Sequence, residues 1–198
     1  MLPLVAYLFF ASGINNFAKL PVLTPNVVKL EEITKQVFNN KITILTFLGD
    51  DIGIREGDAL NLNQKIYKRF YQFNDFQLIS ISPFGSEQNT SLLKDKLSSG
   101  TNTDMVNWSF IHLSNQDINK LFLSLETNLK LDKYMGSPYA FIIDKYSSLR
   151  GRDDSDGIKF GYDSRSVADI NNNMLDDVKI ILAEYRLALK KNNIFNEK

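Results

Sequence analysis

The sequence predicts an α/β protein: a central mixed sheet flanked by helices. Three observations carry this. The run Lys41–Asp51, KITILTFLGDD, is apolar and β-branched and opens into a short polar loop. Strand-like and helix-like periodicities then alternate three times. Finally the rhythm changes to two short strands and a long terminal helix.

The chain has 198 residues, a length that favours one domain with an adequate core. Its 23 basic and 23 acidic residues cancel, so no global field points to nucleic acid or a charged substrate. There is no cysteine, which removes disulfides, thiol chemistry and thiolate metal sites together. With one histidine, His112, a multi-histidine zinc or copper centre is excluded as well. A carboxylate-only hard-cation site and protein binding pass this filter.

Residues 1–16 stand apart from the domain at 17–198. Residues 2–11 are almost all apolar but fall short of the roughly 20 residues a bilayer requires. Ala11-Ser12-Gly13 resembles a small-residue cleavage pattern without a basic n-region. Two readings stand: the tail of a truncated signal or anchor segment, or an N-terminal arm packed on the domain.

Pro21 and Pro25 make the next stretch an edge strand or surface arm, because proline cannot donate within a central sheet. Thr34–Asn40 leads through a polar turn into the first core strand, whose two apolar faces fit burial beneath helices on both sides. Leu62, Ile66, Phe70 and Phe73 place one stripe on a helix over Gly57–Phe73. Phe76–Ser82 is the second strand, Glu87–Ser98 a helix and Val106–Leu113 the third strand. Ser114 with Asp117 starts a helix carrying Ile118, Leu121, Phe122, Leu125 and Leu129. Tyr139–Asp144 and a returning strand precede a helix over Asn172–Lys191, whose acidic start and basic end suit its dipole. A βαβ unit, further α/β and then ββα is the order of the thioredoxin fold with an insertion.

The strand-loop-helix at Lys41–Phe73 and GSPYAFIIDKYSSLRG at Gly136–Gly151 resemble the SCO/SenC branch of thioredoxin-like proteins. The C-terminal run FGYDSRSVADINNNMLDDVKIILAEYRLALKKN is similar to SCO-like proteins of the Bacteroidetes type. The resemblance spans roughly residues 17–193. It implies a thioredoxin-like fold with the SCO/peroxiredoxin-type insertion. It also implies a membrane-tethered copper chaperone or thiol-disulfide reductase of cytochrome oxidase assembly, with CxxxC after the first core strand and a histidine before a later one. In this sequence those positions fall at Asp50, Ile54 and Gly136, so every soft or imidazole ligand is gone. The resemblance further implies a cis-proline at Ser137-Pro138, a surface able to pair with an extended peptide.

The expectation is a non-catalytic, cysteine-less SCO-like domain that needs no cofactor and binds a protein or peptide in respiratory-complex or envelope assembly. It would sit on the periplasmic side of a bacterial inner membrane, tethered through a missing or truncated N-terminal segment, with no nucleic acid partner. Two alternatives remain: a copper or hard-cation carrier or enzyme using carboxylates near Asp50, and a vestigial scaffold. Asp50-Asp51 has the oxygens to hold a hard cation, but the pair reads as a solvated helix entrance. Arg152–Asp163 brushes a calcium-loop pattern, but its first position is Arg152, so a solvated acidic turn fits better. His112 reads as a core or edge residue and Met135 as packing. Tyr67, Tyr71, Tyr134 and Tyr139 form a candidate contact surface.

Overall fold

A computed structural model describes residues 19–27 and 41–196, with side chains through Arg186. The expectations for residues 1–16 and for the Thr34–Asn40 turn lie outside the described residues. A seven-stranded mixed sheet runs in the order β1–β6–β5–β2–β3–β4, with β9 paired to β5. Its strands are β1 Val22–Thr24, β2 Ile42–Leu48, β3 Phe76–Pro83, β4 Trp108–Leu113, β5 Gly136–Ile143, β6 Leu149–Arg150 and β9 Tyr162–Asp163. Strands β2, β3 and β4 are parallel, and β5 returns antiparallel to β2. This is the thioredoxin-like arrangement, a βαβ unit joined to an antiparallel hairpin and terminal helix.

Every residue of β2 is buried. Ile42, Ile44 and Leu48 join the core on one face of the sheet, with Leu62 and Ile66 of helix α1 (52–70) and Val178 and Ile181 of α4 (167–196). Leu45 and Phe47 join the other core, with Ile118, Leu121 and Phe122 of α3, Asn115–Leu123. Strand alternation thus places successive β2 residues in two separate apolar layers, which fixes the register of the whole sheet. Each fully buried aliphatic or aromatic side chain contributes about 1.5–3 kcal/mol, so β2 is a major anchor of the domain.

The boundaries differ from the expected ones for identifiable reasons. Helix α1 starts at Ile52 rather than Gly57, because burial of Ile52, Arg55, Asp58 and Ala59 outweighs the low helix propensity of Gly53 and Gly57. It continues through a π-helical segment, Asn63–Tyr67, where the Asn63 side chain turns inward and donates to Leu97 O at 2.7 Å. Helix α2, Glu87–Thr101, and β4 follow the expected plan. Helix α3 ends at Leu123, and Leu125 reaches the core from beyond its end. Helix α4 begins at Val167, where the Ser166 side chain accepts from Asp169 N. The expected edge strand between Pro21 and Pro25 is β1, paired antiparallel with β6.

The 152–163 stretch is a small hairpin of β7 Arg152–Asp154 and β8 Gly157–Lys159, turned by Gly157 at φ +102. Arg152, where a calcium loop needs a carboxylate, instead makes two bonds to Asp177, at 2.7 and 3.0 Å. Tyr67 is fully buried and bonded to Asp104 O, its hydroxyl pushed up to about 12 by burial, so it leaves the proposed aromatic contact surface.

Candidate functional site

The C-terminal ends of β2, β3 and β4 and the start of β5 meet at one edge of the domain, where an α/β sheet ordinarily presents its site. Asp50, Ile54 and Gly136 all lie here. Asp50 is exposed and its amide donates to Tyr134 O at 2.9 Å. Ile54 is 49% exposed on the first turn of α1. Gly136 is buried and paired with Leu48. The structure therefore brings Asp50, Ile54 and Gly136 to one end of the sheet, and none of the three is a cysteine or a histidine.

What fills the place is an ion cluster absent from the sequence reading. Arg55 is 8% exposed and bonds Asp58 at 3.3 Å and Asp132. Asp132 organises the turn into β5, accepting from the amides of Tyr134 and Gly136 at 2.9 Å each. Its own amide donates to Gly136 O. The turn lies directly over the end of β2: a Cβ on Gly49 would fall 2.6 Å from Tyr134 O. Gly49 also sits at φ +77, a conformation glycine adopts without cost. Beneath the cluster a cavity of about 10 Å³, lined by Thr46, Arg55, Asp58, Ser137 and Ser164, has room for at most one water. The slot is closed.

Charge in the cluster is unevenly stabilised. Burial pushes the Asp132 carboxyl up, but the Gly136 amide, the Arg55 guanidinium and the Tyr134 amide together leave it below the ordinary carboxylate range. Burial also dominates at Asp58, which stays above that range despite the bond from Arg55. Asp132 therefore contributes stability above its unfolded pKa that is lost as pH falls through its lower folded value. Asp58 has the opposite sign: its contribution is present below its unfolded pKa and lost as pH rises through the raised folded value. Asp132→Asn is expected to lower stability at pH 7 by about 1.5–3 kcal/mol, the range for hydrogen bonds to charged groups. It should also flatten the acid limb of the stability profile; urea unfolding between pH 2.5 and 7 measures both.

The expected cis-proline is corrected. No cis peptide bond occurs among the described residues, so Ser137–Pro138 is trans. The β2–β5 register shows why a proline is accommodated here. Leu45 pairs with Phe141 and Phe47 with Ser137, so β5 carries extra residues in a bulge around Pro138, where no ladder N–H is required. Ser137 is buried and Pro138 O accepts from Ser164 N at 2.8 Å, so this carbonyl is already committed inside the fold. A peptide surface at Ser137 and Pro138 is withdrawn.

Asp50 and Asp51 are exposed at the entrance of α1, and the Asp51 side chain makes no capping bond. Among the described residues no group of three or more His, Asp or Glu is gathered to hold a metal ion. His112 lies on the edge strand with Nε2 2.9 Å from Thr90 Oγ1. Met135, in the left-handed region at φ 63, packs on the α3-side core.

No family model matches the chain, and no curated protein does. Among solved structures, a SCO1/SenC family lipoprotein from Bacillus anthracis is 18% identical, covering 76% of this chain and 83% of its own, with TM-score 0.47. BsSco, a member of the Sco family of cytochrome c oxidase assembly proteins, is 15% identical, covering 71% and 77%, with TM-score 0.43. A protein disulfide isomerase named as such by similarity, from Bacteroides thetaiotaomicron, is 10% identical, covering 84% and 95%, with TM-score 0.47. The sheet order and helix placement have the thioredoxin-like topology, and the chain is similar in structure to SCO/SenC proteins and thioredoxin-like oxidoreductases. It contains no cysteine.

Proposed function

We propose that this domain is a non-catalytic, SCO-like thioredoxin-fold module that binds a protein partner during assembly in the bacterial cell envelope. The observation that carries this reading is the closed slot at the end of β2. Arg55 and the Asp132 turn lie against Asp50, Ile54 and Gly136, the positions that the resemblance matches to the family's ligands. A guanidinium is always protonated and carries no lone pair for a metal or nucleophilic chemistry. Carboxylates are poor donors for a soft ion such as copper(I), and disulfide exchange requires a thiolate.

Binding is supported by the surface around the slot. Ile54 at 49% and Phe84 at 66% exposure lie beyond the C-terminal ends of β2 and β3, on the same edge of the domain. Exposed apolar side chains grouped on one edge suit a protein contact more than a small-molecule pocket. The resemblance supplies the setting, a respiratory or envelope assembly complex. No described helix is long and apolar enough to cross a membrane.

The test is photo-crosslinking in envelope extracts from a probe residue placed at Ile54. A discrete protein adduct is expected, lost on Phe84→Asp while circular dichroism stays unchanged. Absence of a specific adduct, or an adduct indifferent to Phe84→Asp, overturns the reading.

A further inference from the structure

The two edges of the central sheet are treated differently. At one edge β1 has three residues with Pro21 before it and Pro25 after it, which blunts further strand pairing. At the other, β4 runs WSFIHL for six residues with no proline, glycine, lysine or carboxylate. Long uncharged edges are normally protected or paired, and among the described residues nothing pairs with this one.

The ladder shows which groups are on offer. Leu78 N donates to Asn107 O and Phe84 N to Leu113 O, with β3 and β4 in parallel register. Alternation then turns the backbone groups of Asn107, Ser109, Ile111 and Leu113 towards β3 and those of Trp108, Phe110 and His112 outward. Trp108 N closes onto Met105 O at 3.2 Å. The outward residues floor a groove of about 450 Å³ whose wall is one stripe of α2, including Glu87, Thr90 and Lys94. Glu87 lies towards the His112 end, where Thr90 bonds His112. Lys94 lies towards Met105 and Val106 at the opposite end, and Val106 is 80% exposed.

A groove with a carboxylate at one end and an ammonium at the other is complementary to itself turned end for end. We infer that β4 pairs antiparallel with β4 of a second copy of this chain, joining two sheets across a two-fold axis at Phe110. Outward-facing residues form the hydrogen-bonded pairs of an antiparallel ladder, so Phe110 meets the partner's Phe110, and Trp108 meets the partner's His112 through its carbonyl, its N–H being held by Met105 O. A two-fold axis perpendicular to the sheet keeps both α2 helices on one face, running in opposite directions. Glu87 then stands across from the partner's Lys94, and Lys94 across from the partner's Glu87.

Sedimentation equilibrium of the full chain tests this. A species of twice the 22.6 kDa chain mass is expected at micromolar concentrations. Phe110→Lys should give a folded monomer by circular dichroism, since it sets two ammonium groups together at the axis. Glu87→Lys or Lys94→Glu alone should raise the dissociation constant about tenfold or more, and the double exchange should restore it. A monomeric wild type overturns the inference, as does a dimer that survives Phe110→Lys. A double exchange no better than the single variants overturns the antiparallel register.

Discussion

Arg150→Ala is expected to destabilise the domain by about 3–5 kcal/mol, the range for removing one partner of a buried ion pair. The Arg150 side chain is 8% exposed and faces Asp144 at 3.1 Å and Glu184 at 2.8 Å, themselves 3% and 14% exposed. Its Nε donates to Leu20 O at 2.8 Å, and Leu20 N donates to Glu184 at 3.0 Å. Burial alone would lower the guanidinium pKa, but Glu184 and Asp144 hold it above its ordinary value. One residue of β6 thereby joins the segment before β1, the β5–β6 turn and helix α4. Removing it strands two carboxylates and a carbonyl. Lys96→Ala is the control: its partner Glu56 is 2.8 Å away, but Lys96 is 57% exposed, so the loss should stay under about 1 kcal/mol. Urea unfolding of both variants at pH 7 measures the contrast.

Rebuilding the ligand set that the resemblance implies is expected to fail at Gly136, the position it matches to the histidine. A Cβ on Gly136 would lie 3.0 Å from Leu48 O and 3.3 Å from Arg55 Nε, so Gly136→His forces backbone or the buried guanidinium to move. Overpacking of this kind costs about 1–3 kcal/mol. Gly49→Ala should be costlier, about 2–5 kcal/mol, because its φ of +77 adds strain to a 2.6 Å overlap with Tyr134 O. Asp50→Cys with Ile54→Cys, at exposed positions, should change stability by less than about 1 kcal/mol. Unfolding midpoints of the three variants read this order. A Gly136→His protein as stable as wild type would show that the slot can reopen.

Periodicity made the scaffold legible. The two apolar faces of β2, the stripe on α1 and the strand-helix alternation fix the parallel βαβ core, and Pro21 and Pro25 mark the blunt edge. The start of α4 was legible too: Ser166 and Asp169 have capping spacing, although the helix was placed from Asn172. The closed site was harder to see. Arg55 lies in the first turn of a helix, where charge usually faces water, and its partners Asp58 and Asp132 are 3 and 77 residues away. Only Asp132 followed by Tyr134 and Gly136, an aspartate-led turn, hinted at the lid over Gly49. The bulge that accommodates Pro138 was hidden because it depends on pairing register, which a single strand's sequence does not display.

The end of β2 carries a structural Arg55–Asp58–Asp132 ion cluster, and the proposal is that no soft metal binds there. Competition of the purified chain against a chromophoric copper(I) chelator, with the melting temperature followed in parallel, tests this most directly. No copper should leave the chelator and the melt should not move, because a ligand held only by the native state would raise it. One equivalent of copper(I) withdrawn from the chelator, with a raised melting temperature that Asp50→Asn abolishes, would contradict the account.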